Sequence, residues 1–317
     1  MTKFKELADK IKGEKKIALF LHINPDGDTI GSTLAIQLAL SKLGIESDVY
    51  CENEVPIRFN YLKGVESIKN TLVGDYTAYM AVDVSCVSRV GIFQNDFERF
   101  KNTYSLDHHI SNDFFAKYNL VNDCPANAEN AYKFIKELGV KIDKDIANCL
   151  ATGLLTDTGN LKHVGVTGET IRILADLVDL GADLNLINFK MFNEQSVERA
   201  RLFGLTMSNI KYLEDGKVGI ITISKQNMLL CGAKDGDTEG FIDFVMGIRG
   251  VLVGACLLEK EENKFKISLR GKGVNVNEIA SVFGGGGHIL ASGCQINGNY
   301  YEVLDKLSYA IKSHIPE

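Results

Sequence analysis

The sequence of 317 residues contains no tryptophan and only 4 prolines, and no apolar run is long enough to span a membrane. Its 7 cysteines are scattered without a CxxC pair, which argues for reduced thiols and against a structural zinc site. The N-terminal segment carries lysines but no apolar core, so we expect a short amphipathic helix there rather than a signal peptide. These absences predict a cytoplasmic protein that does not associate with membranes.

The chain also lacks a basic excess, because 35 Lys and Arg are set against 41 Asp and Glu, for a formal net charge of −6. Proteins that bind long nucleic acids through their phosphates usually carry such an excess. The balance therefore argues against a partner of long duplex nucleic acid, unless bound metal changes the local sign. A small anionic substrate fits the composition better.

The segment 16–33 combines an apolar run with a group of acidic residues. An apolar strand pattern is followed by His22, Asp26 and Asp28 and then by helical apolar spacing, which is typical of a parallel α/β unit with its ligands at the strand end. A proline and a glycine shape the predicted loop so that both carboxylates face one point, where they repel unless a proton or a cation lies between them. Such oxygen ligands with one imidazole suit Mn²⁺ and, less well, Mg²⁺. A plain turn explains the same residues equally well.

Strand and helix patterns alternate through the first half of the chain. Further strands are predicted at 46–52, 78–84, 103–106 and 118–121, and helices at 127–139, 144–155 and 167–179. This alternation predicts an α/β fold with a mostly parallel sheet and helices on both faces.

After a helical segment, a new series of strand and helix patterns begins, which predicts a second, smaller α/β domain. We expect a first domain at 1–185, a helical linker at 186–214 and the second domain at 215–317. In the second domain, strands are predicted at 217–224, 252–258, 264–269 and from 295, and helices at 237–248, 276–283 and 300–315.

Four sites in the first domain follow the ends of predicted strands or helices. They are His22 with Asp26 and Asp28, then Asp83, then Asp107-His108-His109, and finally Asp157. The ends of parallel strands meet at one edge of a sheet, so five Asp and three His are predicted to share a small volume. That much negative charge does not stay ionised without compensation, and two divalent cations supply it in sites that act at phosphorus. Taken one at a time, Asp83 and Asp157 are better explained as a helix cap or a turn, and a lone histidine as a structural residue. The four sites together favour a metal site.

The motifs HINPDGDTIGS, AVDVS, LDHH and TGLLTDTGN occur in this order, and SLRGKGVNVNEIASVFGGGGHILASG follows near the C-terminus. Together they resemble the DHH phosphoesterases with a DHHA1 domain, and the short two-domain layout is similar to the bacterial nano-RNase and pAp-phosphatase type. The resemblance implies one cation on His22, Asp26 and Asp83, and a second on Asp28, Asp83, His108 and Asp157. It implies catalytic roles for Asp107, His108 and His109, in which Asp107 orients a histidine and His109 contacts the substrate phosphate.

The resemblance also implies that the second domain binds the substrate. The residues concerned are Arg249, Arg270, Gly285, Gly286, Gly287 and His288. The planar guanidinium matches phosphate geometry, and glycine amides can approach an anion closely because no Cβ intervenes. Without the resemblance, a flexible loop is the better explanation of the glycine run, and a surface ion pair is the alternative explanation of Arg270. The chain departs from the family pattern after TDTGN, at Gly271 and at Ser292.

The implied function is a phosphodiesterase, dependent on two divalent cations, that hydrolyses short single-stranded oligonucleotides to 5′-mononucleotides. Mn²⁺ is the preferred metal and Mg²⁺ the alternative. The same site is expected to remove the 3′-phosphate from 3′-phosphoadenosine 5′-phosphate, a mononucleotide bisphosphate. The alternatives are hydrolysis of linear or cyclic dinucleotide messengers and non-catalytic nucleotide binding, although the intact set of candidate ligands argues against the latter. The sequence leaves the oligomeric state open, with a homodimer as one option.

Overall fold

The structure, a computed structural model, describes residues 2–315. The chain divides into two compact units, Met1–Glu194 and Gln195–Glu317, so the break falls inside the segment 186–214 that the sequence predicts as a linker. Each unit contains one β-sheet with helices packed on it, which confirms the predicted α/β class. Within residues 2–315, no helix is both long enough and apolar enough to cross a membrane.

The N-terminal unit alternates strands and helices along its length. Its strands are β1 (Lys16–Phe20), β2 (Glu46–Tyr50), β3 (Ala78–Val82), β4 (Thr103–Asp107) and β5 (Tyr118–Val121). Its helices are α1 (Phe4–Ile11), α2 (Gly27–Lys42), α3 (Gln94–Arg99), α4 (Asn127–Glu137), α5 (Lys144–Asp157), α6 (Gly168–Asp179) and α7 (Leu184–Asn188). Every strand and helix that the sequence predicts before residue 180 is present, with ends that differ by a few residues.

The five strands of this unit form a fully parallel sheet in the order β2-β1-β3-β4-β5. Helices α2, α4 and α5 cover one face in a continuous apolar core. The other face is covered by aromatic side chains, in which Phe20 lies 5.1 Å from Tyr79 and 5.6 Å from Phe97 between ring centroids. The strand order reverses between β1 and β3, and open α/β sheets bind their ligands at the carboxyl ends of the strands at such a point.

Helices α2 and α5 pack so closely that side chains are excluded from part of their contact. A Cβ atom on Gly27 would lie 2.3 Å from Thr156 Oγ1, and one on Gly31 would lie 2.3 Å from the Cys149 carbonyl oxygen. The sequence assigned Gly27 to a turn, and this is wrong, because Gly27 is the first residue of α2. Asp26 caps that helix by accepting hydrogen bonds from the amides of Asp28 and Thr29, so the helix begins directly after it.

The C-terminal unit has a mixed sheet. Its strands are β6 (Lys211–Leu213), β7 (Val218–Ile223), β8 (Val253–Glu261), β9 (Lys264–Gly271), β10 (Gly286–His288) and β11 (Ala291–Asn297). Its helices are α8 (Val197–Met207), α9 (Lys225–Cys231), α10 (Phe241–Gly247), α11 (Val276–Ser281) and α12 (Tyr300–Lys312).

The strand order of the C-terminal sheet is β10-β11-β9-β8-β7-β6, and only β7 and β8 are parallel. Two apolar clusters lie in this unit. Helices α11 and α12 contribute to the first cluster, and helices α8 and α10 contribute to the second. Three expectations are wrong here. The helix predicted from residue 237 begins only at Phe241, because Gly240 before it has a left-handed conformation. The final strand begins at Ala291 instead of residue 295. Part of the glycine run forms the strand β10.

Candidate metal centre

Asp26 and Asp28 approach the sheet edge from the first turn of α2. Asp26 uses Oδ1 for the helix cap, which leaves Oδ2 free to face His22. Asp28 is buried, and its carboxylate accepts hydrogen bonds from the Ser32 hydroxyl and from the amides of Asn127 and Ala128 at the start of α4. The N-terminal amides of α4 therefore hold a buried carboxylate in place, as helix N-termini do for anions.

His22 lies two residues beyond β1, and its ring orientation is fixed by the main chain. Nδ1 lies 2.8 Å from the Ile23 carbonyl oxygen, which can only accept a hydrogen bond, so the proton belongs on Nδ1. Nε2 is then a neutral acceptor that lies 3.5 Å from Asp26 Oδ2 and 3.8 Å from Asp83 Oδ2. This is the arrangement by which metal-binding imidazoles are usually oriented.

Asp83 follows β3 and lies between the histidines. Its Oδ2 faces His22, and its Oδ1 lies 3.4 Å from His108 Nε2. Oδ1 is buried and has no hydrogen-bond partner among residues 2–315. A buried carboxylate oxygen without a donor is unfavourable, so Asp83 Oδ1 fits a cation better than an empty site. The residue also has φ of 62°, in the left-handed region.

His108 is oriented in the same way from the end of β4. Its Nδ1 lies 2.8 Å from the Cys124 carbonyl oxygen, which directs Nε2 toward Asp83 and places it 3.6 Å from Asp157 Oδ2. Asp157 is the last residue of α5, so a helix end joins the strand ends at this edge.

Asp107 and His109 form a separate pair within the centre. Asp107 Oδ1 lies 2.7 Å from His109 Nδ1, and Asp107 Oδ2 accepts a hydrogen bond of 2.6 Å from the Asn112 amide. Both carboxylate oxygens are therefore occupied by protein donors, which suits Asp107 to orienting His109. Burial raises the pKa of Asp107, but the hydrogen bonds from His109 and Asn112 outweigh it and hold the pKa below its ordinary value.

The described residues contain three sets of candidate metal ligands in which the ligand atoms lie within 4.8 Å of one another. The sets are His22 with Asp26 and Asp83, Asp28 with His108 and Asp157, and Asp83 with His108 and His109. The first two correspond to the two cation sites that the sequence implies, and Asp83 adjoins both. The structure thus brings every candidate ligand of the first domain together, and their roles as ligands stay predictions.

Three carboxyl groups of the centre, those of Asp28, Asp83 and Asp157, resist ionisation when no cation compensates them. Burial, followed by the charge of Asp157, raises the pKa of Asp28 to about 7. Burial, followed by the charge of Asp28, raises the pKa of Asp83 well above its ordinary value. Burial also raises the pKa of Asp157, and the charge of Asp26 adds to the effect. A set of carboxylates in this state favours divalent cations, which remove the repulsion.

We predict that divalent cations stabilise the fold more at pH 8 than at pH 5.5. The pKa of Asp28 is about 7 when folded and 3.8 in its reference state, so the folded protein without metal holds more protons and loses stability as pH rises through this window. Cation binding needs the ionised carboxylates and offsets that loss. The measurement is the thermal midpoint with Mn²⁺ and with chelator at both pH values, with an expected gain of about 5 °C or more at pH 8.

Asp28→Asn is the matched variant for this measurement, because it removes the titrating group and keeps the shape. Its stability without metal should depend less on pH than that of the wild type. An equal gain from Mn²⁺ at both pH values in the wild type would contradict the prediction.

Sequence reasoning missed several residues that support the centre. The buried Asn127 and Asn130 stand one turn apart on α4 and donate to the backbone carbonyls of Leu106 and Asp107 respectively. Their spacing in NAEN is the one signal that could have revealed them. His163, at the position where the chain departs from the family pattern, donates from Nδ1 to the Asp157 carbonyl oxygen.

In the C-terminal unit, strand register brings two predicted substrate-binding residues near each other. Arg270 on β9 pairs with Ala291 on β11, and Ala291 pairs with His288 on β10. Arg270 is half-exposed, with Nε 3.9 Å from Asp243 Oδ1, and His288 is exposed. Arg249 is an exposed residue beyond the end of α10.

The expectation that the glycine amides are free for an anion is wrong for part of the run. The amides of Gly284 and Gly285 donate to the carbonyls of Ser281 and Ala280 at the end of α11. A Cβ on Gly285 would lie 2.3 Å from the Gly293 carbonyl oxygen, and one on Gly287 would lie 2.6 Å from that of Ala291. These glycines therefore allow close backbone packing against β11. Gly286 has open space around its Cα, and only Asn277 Oδ1 comes within 3.7 Å of the added Cβ.

Ser292, a second departure from the family pattern, supports the same corner. Its hydroxyl donates a hydrogen bond of 2.7 Å to the His288 carbonyl oxygen. This contact ties β10 to β11 next to the exposed histidine.

Comparison with known proteins agrees with the architecture of both units. The model of the DHH family N-terminal domain matches residues 16–154, and that of the DHHA1 domain matches residues 228–315. The bifunctional oligoribonuclease and PAP phosphatase NrnA of Thermus thermophilus is 30% identical over 303 residues, which cover 93% of this chain and 89% of that protein. The chain belongs to the DHH family. The resemblance predicted from the ordered motifs is thereby confirmed.

Two further comparisons extend the DHH assignment over the whole length. The probable bifunctional oligoribonuclease and PAP phosphatase NrnA of Streptococcus mutans is 25% identical, covering 97% of this chain and 99% of that protein. The crystal structure of an exopolyphosphatase-related protein from Bacteroides fragilis is 26% identical, with a TM-score of 0.84 and coverage of 98% and 95% of the two chains. The DHH and DHHA1 parts therefore occur together in similar proteins of nearly the same length.

Proposed function

We propose that this DHH protein is a phosphoesterase, dependent on two divalent cations, that hydrolyses short oligonucleotides to 5′-mononucleotides and removes the 3′-phosphate of 3′-phosphoadenosine 5′-phosphate. The observation that carries the proposal is the placement of Asp83. Its two carboxylate oxygens face His22 and His108, one in each set of candidate ligands, and Oδ1 is buried without a hydrogen-bond partner among the described residues. Relatives named as oligoribonuclease and PAP phosphatase supply the substrate class.

The ligand sets divide between two proposed cation positions that Asp83 bridges. His22 and Asp26 would hold one cation with it, and Asp28, His108 and Asp157 would hold the other. Two bound cations supply an activated water and neutralise the charge that develops at phosphorus. The donor set of carboxylates and imidazoles favours Mn²⁺ over Mg²⁺, since Mg²⁺ prefers oxygen ligands.

The chain's own residues orient the reacting groups. The Ile23 and Cys124 carbonyls hold the protons of His22 and His108 on Nδ1, so each Nε2 stays a ligand. The hydrogen bond to Asp107 raises the pKa of His109, and this favours the protonated ring, the form that would donate to a phosphate oxygen. We assign further substrate binding to the C-terminal unit, through Arg249, Arg270, Gly286, Gly287 and His288.

A substrate panel tests the proposal. The full-length protein with Mn²⁺ should convert an RNA dinucleotide to mononucleotides and 3′-phosphoadenosine 5′-phosphate to AMP and phosphate, and excess chelator should stop both reactions. The panel also contains cyclic dinucleotides and pyrophosphate. Hydrolysis of either of these with the RNA dinucleotide left intact would refute the proposed substrate class.

A further inference from the structure

Arg89 is fixed beside the metal centre by its main chain. It lies in the short helical segment Val87–Phe93, which follows Asp83. Its carbonyl oxygen accepts a hydrogen bond of 2.7 Å from the amide of Ile23, the residue next to His22. The main chain of Arg89 is therefore hydrogen-bonded to the segment that carries His22, and it follows the segment that carries Asp83.

The guanidinium of Arg89 has no partner among the described residues. Its Nε is buried without a hydrogen-bond acceptor, and the side chain makes no hydrogen bond or ion pair with any of the residues 2–315. A buried charged donor without an acceptor is unfavourable and rare in folded proteins. Arg89 as a whole is half-buried, and its two terminal nitrogens are not among the buried atoms without a partner, so they are open to an acceptor from outside the chain.

Neither Asp83 nor Asp107 forms an ion pair with Arg89. Both oxygens of Asp107 accept hydrogen bonds from His109 and Asn112, and those of Asp83 face histidines. Arg89 is also close enough to His109 for its positive charge to oppose protonation of that ring, although the pKa of His109 remains raised by Asp107. Arg89 thus adds positive charge on the side of the centre where His109 lies.

The segment that carries Arg89 is held firmly. Glu52 Oε2 accepts a hydrogen bond of 2.8 Å from the Ile92 amide, and Gly91 adopts φ of 68° against the same carboxylate, where a Cβ would clash. A binding group on a well-held segment loses little entropy when it meets its ligand.

We propose that Arg89 binds a non-bridging phosphate oxygen of the substrate, which makes it an anion-binding residue of the N-terminal unit. The inference rests on the proposed phosphoesterase function. A guanidinium presents planar donors that match phosphate geometry.

The test compares Arg89→Met with Arg99→Met, an exposed arginine in the last turn of α3 that serves as the matched control. Calorimetry measures the binding of inorganic phosphate and of AMP to the Mn²⁺-loaded full-length proteins. Arg89→Met should weaken both about tenfold or more and leave the Mn²⁺ stoichiometry and the thermal midpoint unchanged. Arg99→Met should bind both anions as the wild type does.

Kinetics provide a second readout that a purely structural role would not move. Arg89→Met should lower kcat/KM for an RNA dinucleotide about tenfold or more, and added guanidinium ion should restore part of the activity. Arg89→Gln keeps most of the stem and a neutral amide, so it serves as a second variant if Arg89→Met does not fold.

The outcomes separate this inference from the proposed function. Unchanged phosphate affinity in the Arg89 variants, loss of Mn²⁺ together with phosphate, or a wild type that binds no phosphate at millimolar concentration would each overturn the role of Arg89. Phosphate binding that depends on Arg89, in a protein that hydrolyses no member of the panel, would support this role and refute the proposed function instead.

Discussion

Asp83→Asn is expected to lower kcat by at least about 1,000-fold and to reduce the Mn²⁺ content of the purified protein. The reason is that one carboxylate faces both proposed cation positions, so a single change removes a ligand from each. Substitution of Asp26 or Asp157 should cost less, because each belongs to only one set of candidate ligands. The measurements are metal analysis after dialysis and turnover of an RNA dinucleotide.

Asparagine is chosen at position 83 because it should not destabilise the fold, so that a loss of activity reports on metal binding. Asp83 has φ of 62°, a conformation that asparagine tolerates and alanine resists. Asparagine also removes a buried charge, so the metal-free variant should melt no lower than the metal-free wild type. Asp9→Asn, an exposed position on α1, is the control and should retain full activity. Full turnover by Asp83→Asn would rule out the two-cation mechanism.

Substrate length should also change efficiency, with kcat/KM highest at about two to five nucleotides and about tenfold or more lower at about twenty. The formal charge is −6, and two divalent cations leave the protein at −2, so its attraction for phosphate is local. Proteins that bind long strands need an extended basic track with stacking aromatics, and this chain has no tryptophan. Added nucleotides therefore gain little contact.

The length series is measured at fixed salt, because phosphate binding weakens as salt rises. Arg270→Ala should weaken dinucleotide binding and leave Mn²⁺ bound. Arg58→Ala, at an exposed position in the N-terminal unit, should change neither dinucleotide binding nor Mn²⁺ content. Constant or rising efficiency out to about twenty nucleotides would contradict the preference for short substrates and indicate a processive exonuclease instead.

The sequence by itself determined the parallel sheet of the N-terminal unit and the edge at which His22, Asp83 and His108 meet. Apolar strands separated by helices fold into a parallel sheet, and the residues that follow parallel strands necessarily emerge on the same side of it. The local sequence is enough for this inference, because each of these polar residues follows a short apolar run, and such a run predicts a buried strand.

Only the tertiary structure decided which groups surround those residues. The amides of Asn127 and Ala128 reach Asp28 from about a hundred positions away in the chain, and Gly27 is required by Thr156 on another helix. The glycine run near His288 likewise serves packing against β11. That Arg89 Nε lacks an acceptor among residues 2–315 is visible only once the segments around it have been placed. Contacts of this kind depend on how distant segments pack, and no local pattern of residues encodes them.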